Sequence, residues 1–475
     1  MRWCRKLLRL MTKQDVINKL KIILPVLLVY AVSSIMGVNL AVPTFLLLLF
    51  FYFKHSPKQL FIRKTNLLHL TLLFMIILSI SYFIIGKGWS VLYIPFSLIP
   101  MLATILFSGL EVSLLMTLIT AVVVSALANN NYYLVLLFLI SGISSSILVE
   151  NARRRVAVIQ AGFFIGVIQV LTLLLIDGFF IVNPGKYLII FLNGLACGII
   201  VIGILPVFEY LFKTVTNISL LELSDFNHPL LQRMILEAPG TYHHSLVVGN
   251  LSEAACRAVG AHALLARVGA YYHDVGKLSK PDYFSENQSL NSSRHDSLSA
   301  TMSKLIIMNH VKEGLELANK YKLSPRITEF ILQHHGNSLV YYFYRRALEG
   351  LEEDQEIREE GFRYPGPKPD SKETAIVLLA DSVEAATRAL KDPDPEKIKE
   401  LVHKVINNKF IDGQLDECEL TLKDLEKISA IFIHILGGIY HSRVNYPEET
   451  KSENNHKKSA KEDSHLSVKD KKNNS

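Results

Sequence analysis

Cysteine is scarce and scattered in this chain. There are four, Cys4, Cys197, Cys256 and Cys418, and no CxxC. Such spacing excludes a disulfide framework and a zinc knuckle and suits a reducing compartment for the second half. No segment alternates polar and apolar residues over the length of a strand, which excludes a sheet-based fold. Acidic residues are rare early on: residues 1–213 carry 17 Lys and Arg against 5 Asp and Glu, net +12, leaving −5 for the remainder of a chain whose total is +7. The second half lacks the interleaved basic and aromatic patches of a nucleic-acid binder, so no nucleic-acid polymer is expected as a partner. The basic excess belongs to the apolar half and reads as membrane topology.

What fills that first half is hydrocarbon. Residues 1–21 form a basic amphipathic lead-in, and residues 22–213 read as a membrane domain of about eight helices embedded in a lipid bilayer. The apolar run from Lys21 to Phe53 is too long for one span of about 20 residues, and Gly37 to Pro43 marks a turn between two. Further spans are expected at 67–86, 90–108, 112–128, 132–149, 157–182 and 187–212. The basic, then apolar, N-terminus resembles a signal peptide, but the spans behind it predict an uncleaved anchor. With the N-terminus inside, 15 of the 17 basic residues fall on the cytoplasmic side and only Lys87 and Lys186 outside, as the positive-inside rule requires. Asp177 and Glu209 sit near span ends, where an interfacial position is expected. No polar residues recur at mid-span, which disfavours a transporter.

Residues 214–240 read as a linker, 241–446 as an all-helical cytoplasmic domain and 447–475 as a charged tail too poor in apolar residues to fold. Within the helical domain seven imidazoles and carboxylates interrupt apolar runs: His244, His273, Asp274, His310, His334, His335 and Asp381. A lone histidine on such a face is more often a hydrogen-bonded core residue than a ligand. Seven in one domain are different, because a buried charge or imidazole is costly unless it is paired or coordinated. Imidazole with carboxylate suits Mn, Fe or Zn rather than calcium. Seven exceed the needs of one ion beside a reactive water, which suggests a two-metal hydrolase.

Local signals assign the helices. Thr241 is the expected N-cap of the helix carrying His244, and Gly276 permits a turn after His273–Asp274. Lys277 then puts a cation beside the metal pair, or else pairs with helix-terminal carbonyls. Residues Asp296 to Leu323 read as one helix carrying His310, capped by Asp296 or Ser297, so the pair His295–Asp296 is a decoy. Ser324–Pro325 opens the helix that closes at His334–His335–Gly336. Tyr341, Tyr342, Tyr344, Arg345 and Arg346 follow on an aromatic helix; such a stripe is usually core, with nucleobase stacking as the alternative. Residues 352–372 read as a loop, and Glu384 and Arg388 as an ion pair one turn apart.

The ordered set His, HD, His, HH, Asp resembles the HD phosphohydrolase superfamily. Longer blocks are more specific: EAPGTYHHSLVVGNLSEAA, LLARVGAYYHDVGK, ILQHHGNSLVYYFYRRA and FRYPGPKPDSKETAIVLLADSVEAATR. With these the chain resembles the seven-transmembrane-receptor HD family, PgpH-like cyclic-di-AMP phosphodiesterases. The resemblance implies one ion on His244, His273, Asp274 and Asp381 and a second on His310, His334 and His335, with Asp274 bridging. It also implies a membrane-anchored hydrolase that opens cyclic di-AMP to linear pApA with two Mn or Fe ions, in second-messenger signalling. Asp274 and Lys277 would be catalytic, and Lys277, Tyr342 and Arg345 would contact substrate; a homodimer is compatible with it. One departure is plain: family members usually carry a large extracellular domain after the first helix, whereas only Gly37–Asn39 separates the corresponding spans here.

Three other readings compete. HD-GYP proteins cleave cyclic di-GMP, but this chain has HHGNSLVYY where they continue toward GYP. HD triphosphohydrolases acting on dNTPs lack a membrane half. A non-catalytic nucleotide sensor should have lost ligands, and none is lost. The charge pattern predicts that both termini and the loops 54–66 and 149–156 are cytoplasmic. Reporter fusions at these points should all signal from the cytoplasm; an extracytoplasmic signal from either terminus overturns the eight-span count.

Overall fold

The computed structural model describes residues 64–107, 110–129, 131–179, 181, 183–288, 294–350, 357–391 and 393–440. The expected lead-in, the paired spans in 21–53 and the charged tail lie outside the described residues. Among the described residues the fold is all-helical, with one isolated antiparallel bridge between Leu339 and Arg363. Two hydrophobic cores divide it, one drawing on Leu70 to Ile218 and the other on Leu220 to Leu436.

The first core belongs to α1 (Lys64–Gly86), α2 (Leu98–Phe107), α3 (Leu110–Leu127), α4 (Tyr132–Val149), α5 (Arg155–Ile176) and α6 (Pro184–Phe212). All but α2 are long and apolar enough to cross a membrane. Helices α5 and α6 pack backbone to backbone through Gly162, Gly166, Gly194 and Gly198. A Cβ on Gly194 would lie 2.4 Å from the Gly166 nitrogen, and one on Gly162 would lie 2.9 Å from the Gly194 carbonyl. This is the close approach that small residues four apart permit in lipid.

The expected span 90–108 is corrected. Pro95 has no N–H to give a helix, so the chain makes a single 3-10 turn at Val91–Tyr93 and enters α2 only at Leu98. Ten residues reach about 15 Å, half a bilayer. The unwound carbonyls are satisfied from α6, where the Asn193 amide donates to Leu92 O at 3.0 Å and Ile94 O at 2.9 Å. Gln169 on α5 donates to Ser97 Oγ at 3.3 Å. At the span ends, Asp177 accepts from Tyr187 at 2.6 Å and pairs with Lys186 at 2.5 Å.

The second core is built by α7 (Asn217–Leu223), α8 (Pro229–Glu237), α9 (Pro239–Val259), α10 (Ala263–Tyr272), α11 (Ala300–Lys320), α12 (Pro325–Gln333), α13 (Tyr341–Glu349), α14 (Lys372–Arg388), α15 (Pro395–Ile411) and α16 (Leu422–Ile439). Helix α9 runs through the middle against α10, α14 and α16. Several local readings give way to tertiary contacts. Pro239 starts α9 two residues before Thr241, which therefore lies inside the first turn; its N–H donates to Asn287 Oδ1 at 3.1 Å and its hydroxyl to Glu286 at 3.2 Å. Helix α11 starts at Ala300 with Ser299 as its cap, accepting from Met302 N, so neither Asp296 nor Ser297 caps it. Gly276 is not a left-handed terminator but lies in a 3-10 turn, Val275–Ser279. It is glycine because a Cβ there would come within 1.8 Å of the His310 carbonyl.

The broken span yields a stability prediction. Asn193→Leu removes two bonds, leaving Leu92 O without a donor among the described residues and Ile94 O with the Phe96 N–H alone, which should cost roughly 1–3 kcal/mol at about 0.6–1.7 kcal/mol per bond. Thermal unfolding of the full chain in detergent should show a lowered Tm. An unchanged Tm would mean that Asn193 does not support the break.

Candidate metal centre

Four elements deliver histidine to one buried point by the same device. His273 and His334 are the residues that end α10 and α12, where backbone carbonyls lack helical donors. The His273 Nδ1–H donates to Ala270 O at 2.6 Å, and His334 Nδ1–H to Ile331 O at 3.0 Å and Phe330 O at 3.1 Å. His310, inside α11, donates from Nδ1 to Ile307 O at 2.5 Å. His244, in α9, donates from Nδ1 to Glu384 Oε2 at 2.5 Å. A proton fixed on each Nδ1 leaves each Nε2 with a free lone pair aimed inward, the tautomer a metal ligand needs.

Asp274 stands between them with a different oxygen for each group. Its Oδ2 lies 3.2 Å from His273 Nε2 and 3.6 Å from His244 Nε2. Its Oδ1 lies 3.4 Å from His310 Nε2 and 3.6 Å from His334 Nε2. Asp381, from α14, adds Oδ1 at 3.0 Å from His244 Nε2 and Oδ2 at 3.6 Å from His335 Nδ1. The result is two four-residue groups sharing Asp274: His244, His273, Asp274 and Asp381, and Asp274, His310, His334 and His335, each with ligand atoms within 4.8 Å of one another.

Three observations test whether cations fit here. Neither oxygen of Asp274, nor His273 Nε2, has a partner with hydrogen-bond geometry among the described residues, although all three are buried. His310 Nε2 and His334 Nε2 face each other at 3.1 Å; with both Nδ1 atoms protonated, two lone pairs meet there, which is repulsive without a cation between. Finally, atoms bound about 2.1 Å from one ion sit about 3.0–3.4 Å apart; two of the four Nε2–oxygen separations around Asp274, 3.2 and 3.4 Å, fall there, and the other two, at 3.6 Å, lie just above. The donor set is nitrogen and oxygen without sulfur, as Mn and Fe accept.

The electrostatics divide the imidazoles: two stay neutral, while His244 and His273, against the burial that opposes a charge, are raised by neighbouring carboxylates and would give up the second proton to a cation. Burial pushes the His310 imidazole down to about 4 and His335 well below its ordinary value, so both are neutral ligands at pH 7. Burial opposes a charge on His273, but Asp274 beside it overrides that and holds it up at about 10. Burial likewise opposes charge on Asp274, yet His273 and Lys277 keep its carboxyl well below the usual range. Asp381 is held low by His244 and His273 against its burial.

The other expected site residues fare unevenly. Lys277 is at the centre, but its Nζ lies 2.7 Å from Asp274 Oδ2 and 2.7 Å from Glu286 Oε1, not on helix-terminal carbonyls. Tyr342 and Arg345 are not brought in: both are exposed on α13, Tyr342 edge-on to Phe343 and Arg345 4.0 Å from Glu349. Glu384 does pair with Arg388, at 3.5 Å, but its main partner is His244. The decoy is separate from both groups; His295 Nε2 meets Tyr283 O at 2.8 Å, and Arg346 holds the His295 and Asp296 carbonyls. Sequence reasoning missed Tyr364, whose buried ring stacks on His335 at 4.3 Å, and Glu286, the second partner of Lys277. Their signal was only position: Tyr364 lies in the block beginning FRYPGPKPDSK, and Glu286 in YFSENQ, a further short stretch of the same resemblance.

Against known proteins, residues 32–216 match the family described as 7TM receptor with intracellular HD hydrolase, and residues 241–386 match the HD domain. The two matches follow one another along the chain, the membrane model first and the HD domain after it. It is 47% identical over 318 residues to a Bacillus subtilis protein named cyclic-di-AMP phosphodiesterase PgpH, covering 66% of this chain and 44% of that one. It is 40% identical over 316 residues to the Listeria monocytogenes protein of the same name, covering 65% of this chain and 44% of that one. The chain thus spans less than half the length of these curated relatives. The crystal structure of the Listeria PgpH HD domain is 44% identical, covering 45% of this chain and all of that domain with a TM-score of 0.43. Its complex with cyclic-di-AMP covers 46% of this chain at a TM-score of 0.44.

The His244 Nδ1 leans on Glu384 alone among the described residues. Glu384→Gln keeps the shape but weakens the carboxylate–imidazole bond, so metal affinity at the His244 group should fall about 10–100-fold. Metal titration of the full chain checks this; unchanged affinity would mean that Glu384 does not orient a ligand.

Proposed function

We propose that this chain is a membrane-anchored two-metal phosphodiesterase that opens cyclic di-AMP to linear pApA. The observation that carries the reading is Asp274, one buried carboxylate with a separate oxygen for each histidine group. The substrate assignment is supported by the 47% and 40% identity to proteins named for that reaction.

His244, His273, Asp274 and Asp381 would hold one ion and His310, His334 and His335 the other, with Asp274 shared and Mn or Fe as the metals. The chemistry such ions supply is activation of water and neutralisation of charge at phosphorus. The chain's own residues do the rest. Asp274 stays ionised and keeps the two groups at fixed separation. Lys277, flanked by two carboxylates, holds a permanent positive charge on Asp274, so it acts through that carboxylate and not on substrate. Glu384 and the backbone carbonyls fix the imidazole tautomers before substrate arrives, which removes reorganisation from the reaction. Tyr364 walls one side of His335 and excludes water there. The catalytic domain and both termini face the cytoplasm, where a second messenger is found.

Purified full chain in detergent, loaded with Mn or Fe, should cleave cyclic di-AMP much faster than cyclic di-GMP or any dNTP. Asp274→Ala should bring turnover to background and bound metal toward zero. Asp296→Ala, outside both groups, should stay within a few-fold of wild type. Equal damage from the two substitutions, or release of phosphate from a triphosphate as the main reaction, overturns the reading.

A further inference from the structure

Several cations on the segments near the metal centre come with carboxylates, and Lys409 does not. Lys277 has Asp274 and Glu286, Arg363 has Glu359 and Asp412, Lys368 has Asp416 and Lys372 has Asp424. Lys409, in the last turn of α15, has no carboxylate within ion-pair distance among the described residues. Its Nζ donates to Ser338 Oγ at 2.7 Å, and that is its one hydrogen bond among them. An ammonium has three donors, so two are free. Asp412, the nearest acid in sequence, is occupied by Arg363 at 2.8 Å and Gln414 at 2.8 Å.

The place of this amino group is fixed by the histidine turn. Ser338 is buried three residues beyond His335; its N–H donates to His335 O at 3.1 Å, and its carbonyl accepts from Tyr364 N at 3.0 Å. Tyr364 in turn stacks on the His335 ring. Lys409 therefore stands one hydrogen bond from the turn that carries His334–His335, beside both metal-binding groups but in neither. Asp381 and Asp412 attract it from beyond ion-pair distance, whereas Arg363 repels it. Burial pushes the Lys409 ammonium down from its ordinary value. A half-buried cation that loses solvation without gaining a counter-ion is stabilised by an arriving anion.

We infer that Lys409 is a substrate-binding residue that takes the non-scissile phosphodiester of a cyclic dinucleotide while the metal centre takes the other. This rests on the phosphodiesterase reading above. It also assigns the cation that neither Lys277, already paired with two carboxylates, nor Arg345, exposed on α13, supplies. A charge-assisted contact to a phosphate oxygen is the strong kind. It adds nothing for a substrate with a single phosphate, so it selects dinucleotides over simple diesters.

The test compares two substrates on the full chain: cyclic di-AMP, with two phosphodiesters, and bis(p-nitrophenyl) phosphate, with one. For Lys409→Gln the ratio of kcat/KM on cyclic di-AMP to that on the simple diester should fall about 10–100-fold, mostly through KM, with metal content intact. Lys409→Arg should restore most of the ratio. A loss shared equally by both substrates, with metal lost as well, would show that Lys409 only props the Ser338 turn and would overturn the inference. An unchanged ratio would overturn it too. If wild type instead prefers cyclic di-GMP, the cyclic di-AMP reading falls, and the same comparison on that dinucleotide decides the role of Lys409. If a triphosphate is the main substrate, both fall.

Discussion

A buried carboxylate ringed by imidazoles, with Lys277 as its one close ammonium among the described residues, is the constraint around which the helical half is arranged. Asp274 is buried and both of its oxygens face imidazole nitrogens that carry lone pairs. Nothing in that geometry is stable without positive charge at the centre. Lys277 supplies part of it, and the spacing of the donors leaves room for two cations to supply the rest. The surrounding helices are placed so that backbone carbonyls, which would otherwise end α10 and α12 unsatisfied, take the Nδ1 protons. The same bonds that finish two helices therefore also set the tautomers of the candidate ligands.

The membrane half obeys a stricter rule of the same kind. In lipid no water is available for an unpaired carbonyl, so a proline-broken span survives only because Asn193 reaches two freed carbonyls from a neighbouring helix. The two halves meet through α7. Glu209, near the end of α6, accepts from Thr216 N at 2.9 Å and Ser219 Oγ at 2.8 Å, and Arg155 pairs with Glu222 at 2.7 Å. At the far end of α7, Leu223 O accepts from Tyr272 at 2.7 Å, and Tyr272 precedes His273. A single short helix thus touches both the membrane domain and the chain segment that carries the metal centre.

Much of this was legible one-dimensionally. Apolar runs, the 15-to-2 split of basic residues and seven titratable side chains set in apolar helices are properties of neighbours in sequence. They sufficed for the fold class, the membrane half and the candidate ligands, because burial cost acts residue by residue. Helix ends were less legible. Thr241 and Asp296 carry good capping chemistry, but Pro239 and Ser299 begin the helices, since contacts with Asn287 and Arg346 outweigh a cap worth about 1 kcal/mol.

What only the tertiary structure decided is pairing across distance. Glu384 and His244 are 140 residues apart, Lys409 and Ser338 71, and no local period links them. Lys277 has the right sequence context for a substrate cation, yet Glu286 and Asp274 neutralise its charge. Tyr342 and Arg345 have suitable chemistry, yet α13 turns them to solvent. Residue type and burial pattern are written along the chain. Which oxygen faces which nitrogen, and which cation is left without a counter-ion, depends on how helices far apart in sequence are packed, and so appears only in three dimensions.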